Sequence, residues 1–179
     1  EHANQLEFGV KTNLAQDRLI GSFSYYNIEV TNMVIPEGGL SYNSIQGGSA
    51  RSKGFEVDIN ANPVAGLNFI VGYSYNDSKI LKGEVNNVWL EEGRRPFWSG
   101  PMHLANFWAT YKISEGGLKG WGIGLGGNYA SENAILNNTA VGVFKLPSYT
   151  IVNGSIFYDA AKFRVGANLN NVTNKEYYG

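Results

Sequence analysis

The sequence predicts an all-β protein: an antiparallel transmembrane β-barrel wall of about eight meandering strands. The first observation is a repeated pattern in which segments of about ten residues alternate apolar and polar side chains, as barrel strands do. In residues 163–171, Phe163 and Val165 share one face, while Arg164 and Asn168 lie on the other. The second observation is that the connections between these segments are alternately short and long. Together, the two patterns indicate strands with one apolar face and one hydrated face.

Composition agrees with this class and excludes others. Only 16% of the 179 residues are charged, which is low for a water-exposed surface. The formal net charge of -1 gives no electrostatic basis for binding nucleic acid. The chain has no cysteine, which excludes disulfide bonds and thiolate chemistry. No apolar run reaches the roughly 18 residues that a membrane helix needs.

Eight segments follow the alternating pattern, and we predict strands at residues 4–14, 18–30, 49–61, 67–76, 103–113, 119–130, 148–158 and 163–171. The first strand alternates throughout its length. The phase of the second strand stays open, because Phe23 and Tyr25 compete with Tyr26 and Ile28 for the apolar face. A strand of this kind must present one of these two pairs to lipid.

The middle strands have a clear phase. In the third strand, Phe55 and Val57 alternate with Glu56. In the fourth and fifth strands, Tyr73 and Phe107 belong to the apolar face. Bulky apolar side chains therefore occupy the same face of three successive strands, as expected for the lipid side of a wall.

The sixth strand is the most regular. Trp121, Ile123 and Leu125 share its apolar face, and the other face carries the glycines Gly122, Gly124 and Gly126. We expect these glycines to make room for a plug inside the barrel, or to relax the curvature of the wall. The seventh and eighth strands return to ordinary alternation.

The connections suggest how the wall is oriented. Short turns are predicted at residues 15–17, 63–66, 114–117 and 159–162, and long connections at 31–48, 77–102 and 131–146. Outer-membrane barrels have short periplasmic turns and long extracellular loops. Both ends of this chain would then lie on the outer side, so we expect a piece of a larger barrel that lacks its final strand. The alternative is a soluble β-sandwich that binds carbohydrate through exposed tryptophans.

The sequence gives little support for catalysis. His2 and His103 have no nucleophile pattern near them. Glu56 and Asp58 lie two residues apart on one strand face, which is the arrangement expected of carboxylates that face a hydrated lumen. No His or Cys cluster suggests a metal site. We therefore predict no enzyme, no catalytic residue, no cofactor and no resident metal.

Four motifs carry a family resemblance. Residues 51–58, RSKGFEVD, resemble the SxGxE strand of TonB-dependent outer-membrane receptors, and residues 101–111 resemble the PxHxxNLWxxY strand of their siderophore branch. Residues 145–153 are similar to the LPxYxxVD strand, with Asn153 in place of Asp, and residues 168–177 to the NVxNLFDKxY segment. The motifs occur in family order and most closely resemble ferrichrome- and hydroxamate-type receptors.

The resemblance implies a barrel of about 22 strands with a plugged lumen. Residues 1–179 would form its C-terminal part, without the plug domain and the segment that contacts TonB. The implied function is energy-coupled uptake of a ferric siderophore across the outer membrane of a Gram-negative bacterium. The implied partners are the siderophore, the TonB complex acting through the plug, outer-membrane lipid and lipopolysaccharide. The alternative function is a receptor of the same architecture that transports another cargo, either glycan or cobalamin.

Ligand recognition is expected in the long connections, because barrel scaffolds carry function on their loops. The candidate ligand-binding residues are Trp89, Arg94, Arg95, Phe97 and Trp98 in the second long connection and Tyr42 in the first. Aromatic rings can surround an organic chelate, and guanidinium groups can bind its carboxylates. In the alternative interpretation, Trp98 belongs to a membrane-interface belt and the arginines contact lipopolysaccharide.

Overall fold

The structure, a computed structural model, describes residues 1–37, 43–83, 88 and 90–178. The described strands are β1 His2–Leu14, β2 Leu19–Pro36, β3 Ser44–Ala61, β4 Leu67–Lys82, β5 His103–Lys112, β6 Trp121–Ala130, β7 Asn133–Asn138, β8 Gly142–Leu146, β9 Tyr149–Asp159 and β10 Arg164–Leu169. A short 3₁₀ helix, Phe97–Ser99, interrupts the connection between β4 and β5. No described helix is long and apolar enough to cross a membrane.

Eight of the strands form one antiparallel sheet in the order β1-β2-β3-β4-β5-β6-β9-β10. Neighbouring strands of this sheet pair through backbone hydrogen bonds, and a tight turn or a long connection joins each strand to the next. The predicted meander of eight strands is therefore confirmed. Strands β7 and β8 pair only with each other and form a hairpin within the third long connection.

Cross-strand register resolves the open phase of β2. Phe23 pairs with Val57, and Tyr25 pairs with Phe55, so Phe23 and Tyr25 lie on the apolar face. Tyr26 pairs with Gly54 and lies on the opposite face. Since opposed residues of neighbouring strands point to the same side of a sheet, the phase of one clear strand fixes that of its neighbour.

The apolar face of the sheet is open to the surroundings. Leu6, Phe8 and Ile123 are 66%, 61% and 61% exposed. A β-sandwich would bury such side chains against a second sheet. The eight-stranded sheet described here has no such layer over it, so the soluble-sandwich alternative is wrong. An apolar face of this size is stable where lipid covers it.

Three strands extend further than the sequence predicted. Residues 31–36 and 44–48 were expected in a connection but continue β2 and β3, and β4 runs on to Lys82. The backbone ladder needs only N–H and C=O groups, so it continues after the apolar–polar alternation has stopped. A register shift follows Val30, where Asn32 adopts a φ of 55°.

An aromatic row crosses the apolar face near the outer ends of β3, β4 and β5. The rings of Phe55 and Tyr75 are 5.6 Å apart, and those of Tyr75 and His103 are 5.2 Å apart. The Tyr73 hydroxyl lies 2.8 Å from His103 Nδ1. Such rows form at the boundary between membrane and water, where aromatic rings meet both environments.

The glycines of β6 make room for rings of the wall itself. Their polar face was expected to make room for a plug or to relax the curvature of the wall, and both stay predictions. A Cβ atom at Gly122 would overlap the ring of Phe157, and one at Gly126 would overlap the ring of Trp108. The register places Gly122 opposite Phe157 and Gly126 opposite Trp108, so the missing side chains let these rings lie flat against the wall.

Candidate ligand-binding site

The second long connection follows the free edge of β4. Ile80 donates its N–H to the Arg94 oxygen at 2.8 Å, and its own oxygen accepts the Gly93 N–H at 2.9 Å. Closer to the membrane, the Asn76 N–H donates to the Met102 oxygen at 2.9 Å. These bonds hold the connection along the part of β4 that β5 does not reach. The side chains of the connection therefore have defined positions.

A small apolar core lies under this connection. Ile35, Ile80 and Leu90 are buried together, and Met33 and Ala50 pack against them. The inner face of the wall is thus apolar near its outer end. Closer to the membrane, the same face is polar, and the Asp58 carboxylate there accepts a hydrogen bond from the Ser22 hydroxyl at 3.3 Å.

Arg95 joins the connection to the wall. Its Nη1 donates to the backbone oxygen of Asn76 at 2.7 Å, and its Nη2 donates to the Asn76 side-chain oxygen at 3.2 Å. Nη2 also reaches the oxygens of Ser99 at 3.5 Å and Gly100 at 3.1 Å. Burial of the guanidinium lowers the pKa of Arg95, while the negative charge of Asp77 opposes that change.

A polar cluster continues from Arg95 along the inner face. The Asn76 amide donates to the Tyr26 hydroxyl at 2.7 Å and to Ser52 Oγ at 2.8 Å. Ser78 Oγ donates to the Asn76 side-chain oxygen at 2.7 Å and lies 3.0 Å from Ser52 Oγ. The cluster therefore fixes three neighbouring strands and the arginine relative to one another.

Phe97 and Trp98 project from the 3₁₀ helix. Their ring centroids are 5.0 Å apart, and the ring planes meet at 82°, an edge-to-face pair. The rings are 43% and 50% exposed. The turn beneath them is closed by Ser99, whose hydroxyl donates to the Pro96 oxygen at 2.6 Å. Two large aromatic surfaces are thus held open on a fixed support.

A cavity of about 340 Å³ lies between this helix and the inner face of β2, β3 and β4. Trp98 and Pro96 line it on the side of the connection. Apolar side chains of the wall, among them Ile28 and Val30, line another part. Ser52, Asn76 and Ser78 of the polar cluster also line it, together with Arg51 and Ser99.

The second and third connections are joined to each other. The Glu91 carboxylate accepts hydrogen bonds from the N–H and the hydroxyl of Thr139 at 2.5 and 3.1 Å. Its other oxygen lies 3.5 Å from Arg94 Nε. The bond from the Thr139 N–H lowers the pKa of Glu91. The buried Asn138 amide also donates to the Val88 oxygen at 2.8 Å.

The structure brings four of the predicted site residues together. Arg94, Arg95, Phe97 and Trp98 lie on one short segment beside the cavity, although Arg94 and Arg95 contact protein groups there. Tyr42 and Trp89 lie outside the described residues. None of these six positions is tested as a ligand contact, so all of them stay predictions.

The sequence analysis missed the polar cluster on the wall. Asn76 was placed at the end of a strand, and Ser78 in a connection. The alternation of Ser74, Asn76 and Ser78 with bulkier residues was the available signal. It shows that the strand continues with its small polar face turned inwards, as the structure has it.

Comparison with known proteins gives the family. The sequence model described as TonB dependent receptor-like, beta-barrel matches residues 1–172. The chain is 32% identical to the ferrichrome outer membrane transporter/phage receptor of Escherichia coli K12, covering 97% of this chain and 23% of that protein. It is 28% identical to the ferrioxamine B receptor of Salmonella typhimurium LT2, covering 97% of this chain and 24% of that protein.

Solved structures agree on the fold. The ferric-catecholate import receptor Fiu of Escherichia coli K12 superposes with a TM-score of 0.78 at 21% identity, covering 98% of this chain and 24% of that one. The receptor FpvA of Pseudomonas aeruginosa, solved with a bound iron–pyoverdine complex, gives the same TM-score, identity and coverage. The chain thus spans about a quarter of the length of the relatives it matches. It belongs to the TonB-dependent receptor family and forms part of the β-barrel.

Proposed function

We propose that this chain is the wall and outer-loop section of a receptor that takes up a ferric siderophore in a TonB-dependent manner. The wall lies in the outer membrane, where its apolar face meets lipid. The observation that carries the proposal is the exposed Phe97–Trp98 pair, held beside a cavity at the outer end of the wall. The names of the sequence relatives, receptors for ferrichrome and ferrioxamine B, support iron chelates as the cargo.

In this proposal the aromatic pair and the cavity form part of the outer binding surface. Aromatic faces contribute a large apolar contact area at a low cost in conformational entropy. Arg95 positions the pair, because its donors hold the 3₁₀ segment against β4. The plug and the TonB complex would supply the rest of the site and the energy. We assign the chain no catalytic step and no cofactor, since binding and transport need no covalent chemistry.

We also propose that the outward face contacts membrane lipid and lipopolysaccharide. On that face, Lys53 and Lys79 lie in register rows just beyond the aromatic row of Phe55 and Tyr75. Lys53 is 3.7 Å from the Asp77 carboxylate, and Lys79 is exposed. Basic side chains at this level attract anionic headgroups. Nucleic acid is not proposed as a partner, because the chain carries no basic excess.

Another cargo is the second candidate, because an exposed aromatic pair can also stack on a sugar ring. The deciding experiment uses the full-length receptor as the only uptake route, in strains whose growth is limited by iron, by cobalamin or by an oligosaccharide carbon source. Growth is measured with defined ferric siderophores, with cobalamin and with oligosaccharides. We expect ferric siderophores alone to restore growth. Restoration by cobalamin or glycan, with no response to any ferric siderophore, would overturn the proposal.

The contribution of the site is tested in the iron-limited strain. Trp98→Ala is expected to weaken siderophore binding about tenfold, the usual effect of removing an aromatic anchor. Phe144→Ala is the matched control, because Phe144 is also an exposed aromatic residue of the outer connections but does not line the cavity. Equal losses in both variants would show that the Phe97–Trp98 pair has no special role.

A further inference from the structure

We propose that the cargo in transit passes along the inner face of β5, β6 and β9, and that the plug separates from the wall on this side. The inference rests on the proposed uptake function and adds the side of the lumen along which the cargo moves. Two sectors of the inner face differ in charge. We call the inner face of β1, β2 and β3 the charged sector, and that of β5, β6 and β9 the neutral sector.

One register row crosses both sectors. Ser22 pairs with Asp58 between β2 and β3, whereas Asn106 pairs with Asn128 between β5 and β6. Gly72 of β4 joins the two halves of the row, because it pairs with Asp58 on one side and with Asn106 on the other. Opposed residues of neighbouring strands lie on the same side of a sheet. Along this row, the inner face therefore changes from a carboxylate to amides.

The charged sector carries ionised side chains that the wall leaves unpaired. Lys11 and Ser22 are register partners, and so are Ser22 and Asp58, which places all three on the inner face with Glu56. Within the part of the chain that the structure describes, neither Lys11 nor Glu56 forms an ion pair. Such charges need water or an opposite charge on the surface that faces them. Separating a plug from this sector therefore breaks charge-compensating contacts.

The neutral sector has polar groups of another kind. Between the outer end and the periplasmic rim, the described strands β5, β6 and β9 place no charged side chain on this face. Amides and hydroxyls take their place, with Asn106, Asn128 and Ser155 among them. Neutral groups exchange one hydrogen-bond partner for water at a small net cost in free energy. This face can therefore be uncovered and covered again more easily than the charged sector.

The charged residues at the periplasmic rim of the neutral sector are paired within the wall. The Asp159 carboxylate lies 3.0 Å from Lys112 Nζ and 3.2 Å from Arg164 Nε. The Arg164 guanidinium also lies over the Phe157 ring, 4.2 Å from its centroid. The arginine side chain thus lies along the wall instead of across the lumen. These charges need no partner on an opposing surface, in contrast to those of the charged sector.

The bulky side chains of the neutral sector lie flat on the wall. A Cβ atom at Gly124 or Gly126 would overlap the indole of Trp108, so this ring lies across both glycines. The Phe157 ring covers Gly122 in the same way. Rings that lie against the backbone leave the adjacent lumen open, whereas rings that stand away from the wall would fill it. The neutral sector therefore offers width to a bulky chelate.

The first test measures which sector becomes accessible during uptake. Asn128→Cys and Ser22→Cys are made in the full-length receptor, at two positions of the same register row. The chain has no natural cysteine. Cells receive a membrane-impermeant biotin maleimide together with the ferric siderophore that restores growth in the uptake experiment, with and without a protonophore. We expect labelling to be several-fold faster during energised uptake in Asn128→Cys and unchanged in Ser22→Cys.

The second test separates transport from binding. Asn128→Trp should slow uptake of radioactive iron from the same siderophore several-fold and leave its dissociation constant unchanged, because the new ring narrows the route and not the outer binding surface. Ser22→Trp is the matched control in the charged sector and should slow uptake less. If Asn128→Trp does not assemble, Asn106→Trp places the same ring on the same row.

Three outcomes would overturn the inference. The first is labelling of Asn128→Cys that energised uptake does not accelerate. The second is an equal or larger acceleration in Ser22→Cys, and the third is uptake that Ser22→Trp slows as much as the tryptophan in the neutral sector does. Failure of the unmodified receptor to take up any ferric siderophore would instead show that the proposed function is wrong.

Discussion

The guanidinium of Arg95 binds Asn76 twice, through the backbone oxygen at 2.7 Å and the side-chain oxygen at 3.2 Å. Arg95 of the connection is thereby bonded to both the backbone and the side chain of Asn76 in β4. The same Asn76 amide reaches Tyr26 and Ser52 on the neighbouring strands. The 3₁₀ helix Phe97–Ser99 is thus fixed to three strands of the wall through a single asparagine.

Replacing Arg95 should release the connection without unfolding the barrel. In Arg95→Ala the oxygens of Asn76 and Gly100 lose their donor, at a local cost of about 1–3 kcal/mol. Lysine should not restore the bonds, because its ammonium cannot reach several acceptors from one plane. Amide hydrogen exchange at Gly93 and Ile80 measures the effect, and faster exchange is expected in both variants. Unchanged exchange would show that the backbone hydrogen bonds of Ile80 hold the connection in place without Arg95.

Acidification should weaken the link between the second and third connections. The pKa of Glu91 is lowered in the folded chain from its ordinary value of 4.5, chiefly by the bond from the Thr139 N–H. The stabilisation is therefore fully present above the unfolded pKa and is lost as pH falls through the folded one. We expect the protection factor of the Thr139 amide to be constant near neutral pH and to drop below about pH 4.5.

A variant separates this effect from general acid unfolding. Glu91→Gln keeps the shape of the side chain but carries no charge, so protection at Thr139 should be low at every pH. Amides in β6 serve as the internal reference. Loss of protection in β6 over the same pH range would show that the whole barrel unfolds, and the loss at Thr139 would then not be specific to Glu91.

The fit of Phe157 against Gly122 can be tested by a double-mutant cycle. Gly122→Ala should destabilise the wall, because the new methyl group overlaps the Phe157 ring. Phe157→Ala should remove most of that penalty, since the three atoms nearest to the added Cβ all belong to that ring. Thermal unfolding in detergent gives the four free energies of unfolding. Gly117→Ala is the neutral control, because nothing lies within 4 Å of its Cβ position.

The two faces of β6 should tolerate charge differently. Leu125→Lys places an ammonium against hydrocarbon, and we expect a loss of about 2–4 kcal/mol if the site is deep in the bilayer. Asn128→Lys puts the same charge on the polar face and should be accepted. Heat-modifiable mobility of the full-length receptor reports whether the barrel assembles. Equal assembly of both variants would contradict the assignment of the lipid face.

Much of the sheet could be predicted because its pattern is local. Alternation from Phe55 to Ile59 follows directly from the two-residue period of a strand between lipid and water. Where both faces lie outside the membrane, that period no longer separates apolar from polar residues. The strand character of Met33 to Ile35 and of Ser78 to Ile80 was therefore not visible, although their ladders continue.

The sequence also located the segment that carries the candidate site. Phe97 and Trp98 were identified by residue type alone, and the structure places them beside a cavity. The same reasoning treated Arg95 as a cation free to meet a ligand. Residue type says what a guanidinium can bind, but its partners Asn76 and Gly100 depend on how the connection returns to β4.

By itself, the sequence determined the eight strands of the main sheet, the lipid face of all of them but β2, and the order of short and long connections, because alternation and turn chemistry act between near neighbours. Tertiary structure alone decided which side chains share a space. The ring of Phe157 lies over Gly122, 35 residues away in sequence, and Glu91 accepts hydrogen bonds from Thr139. Such contacts depend on register and on the paths of the connections, which no local pattern encodes.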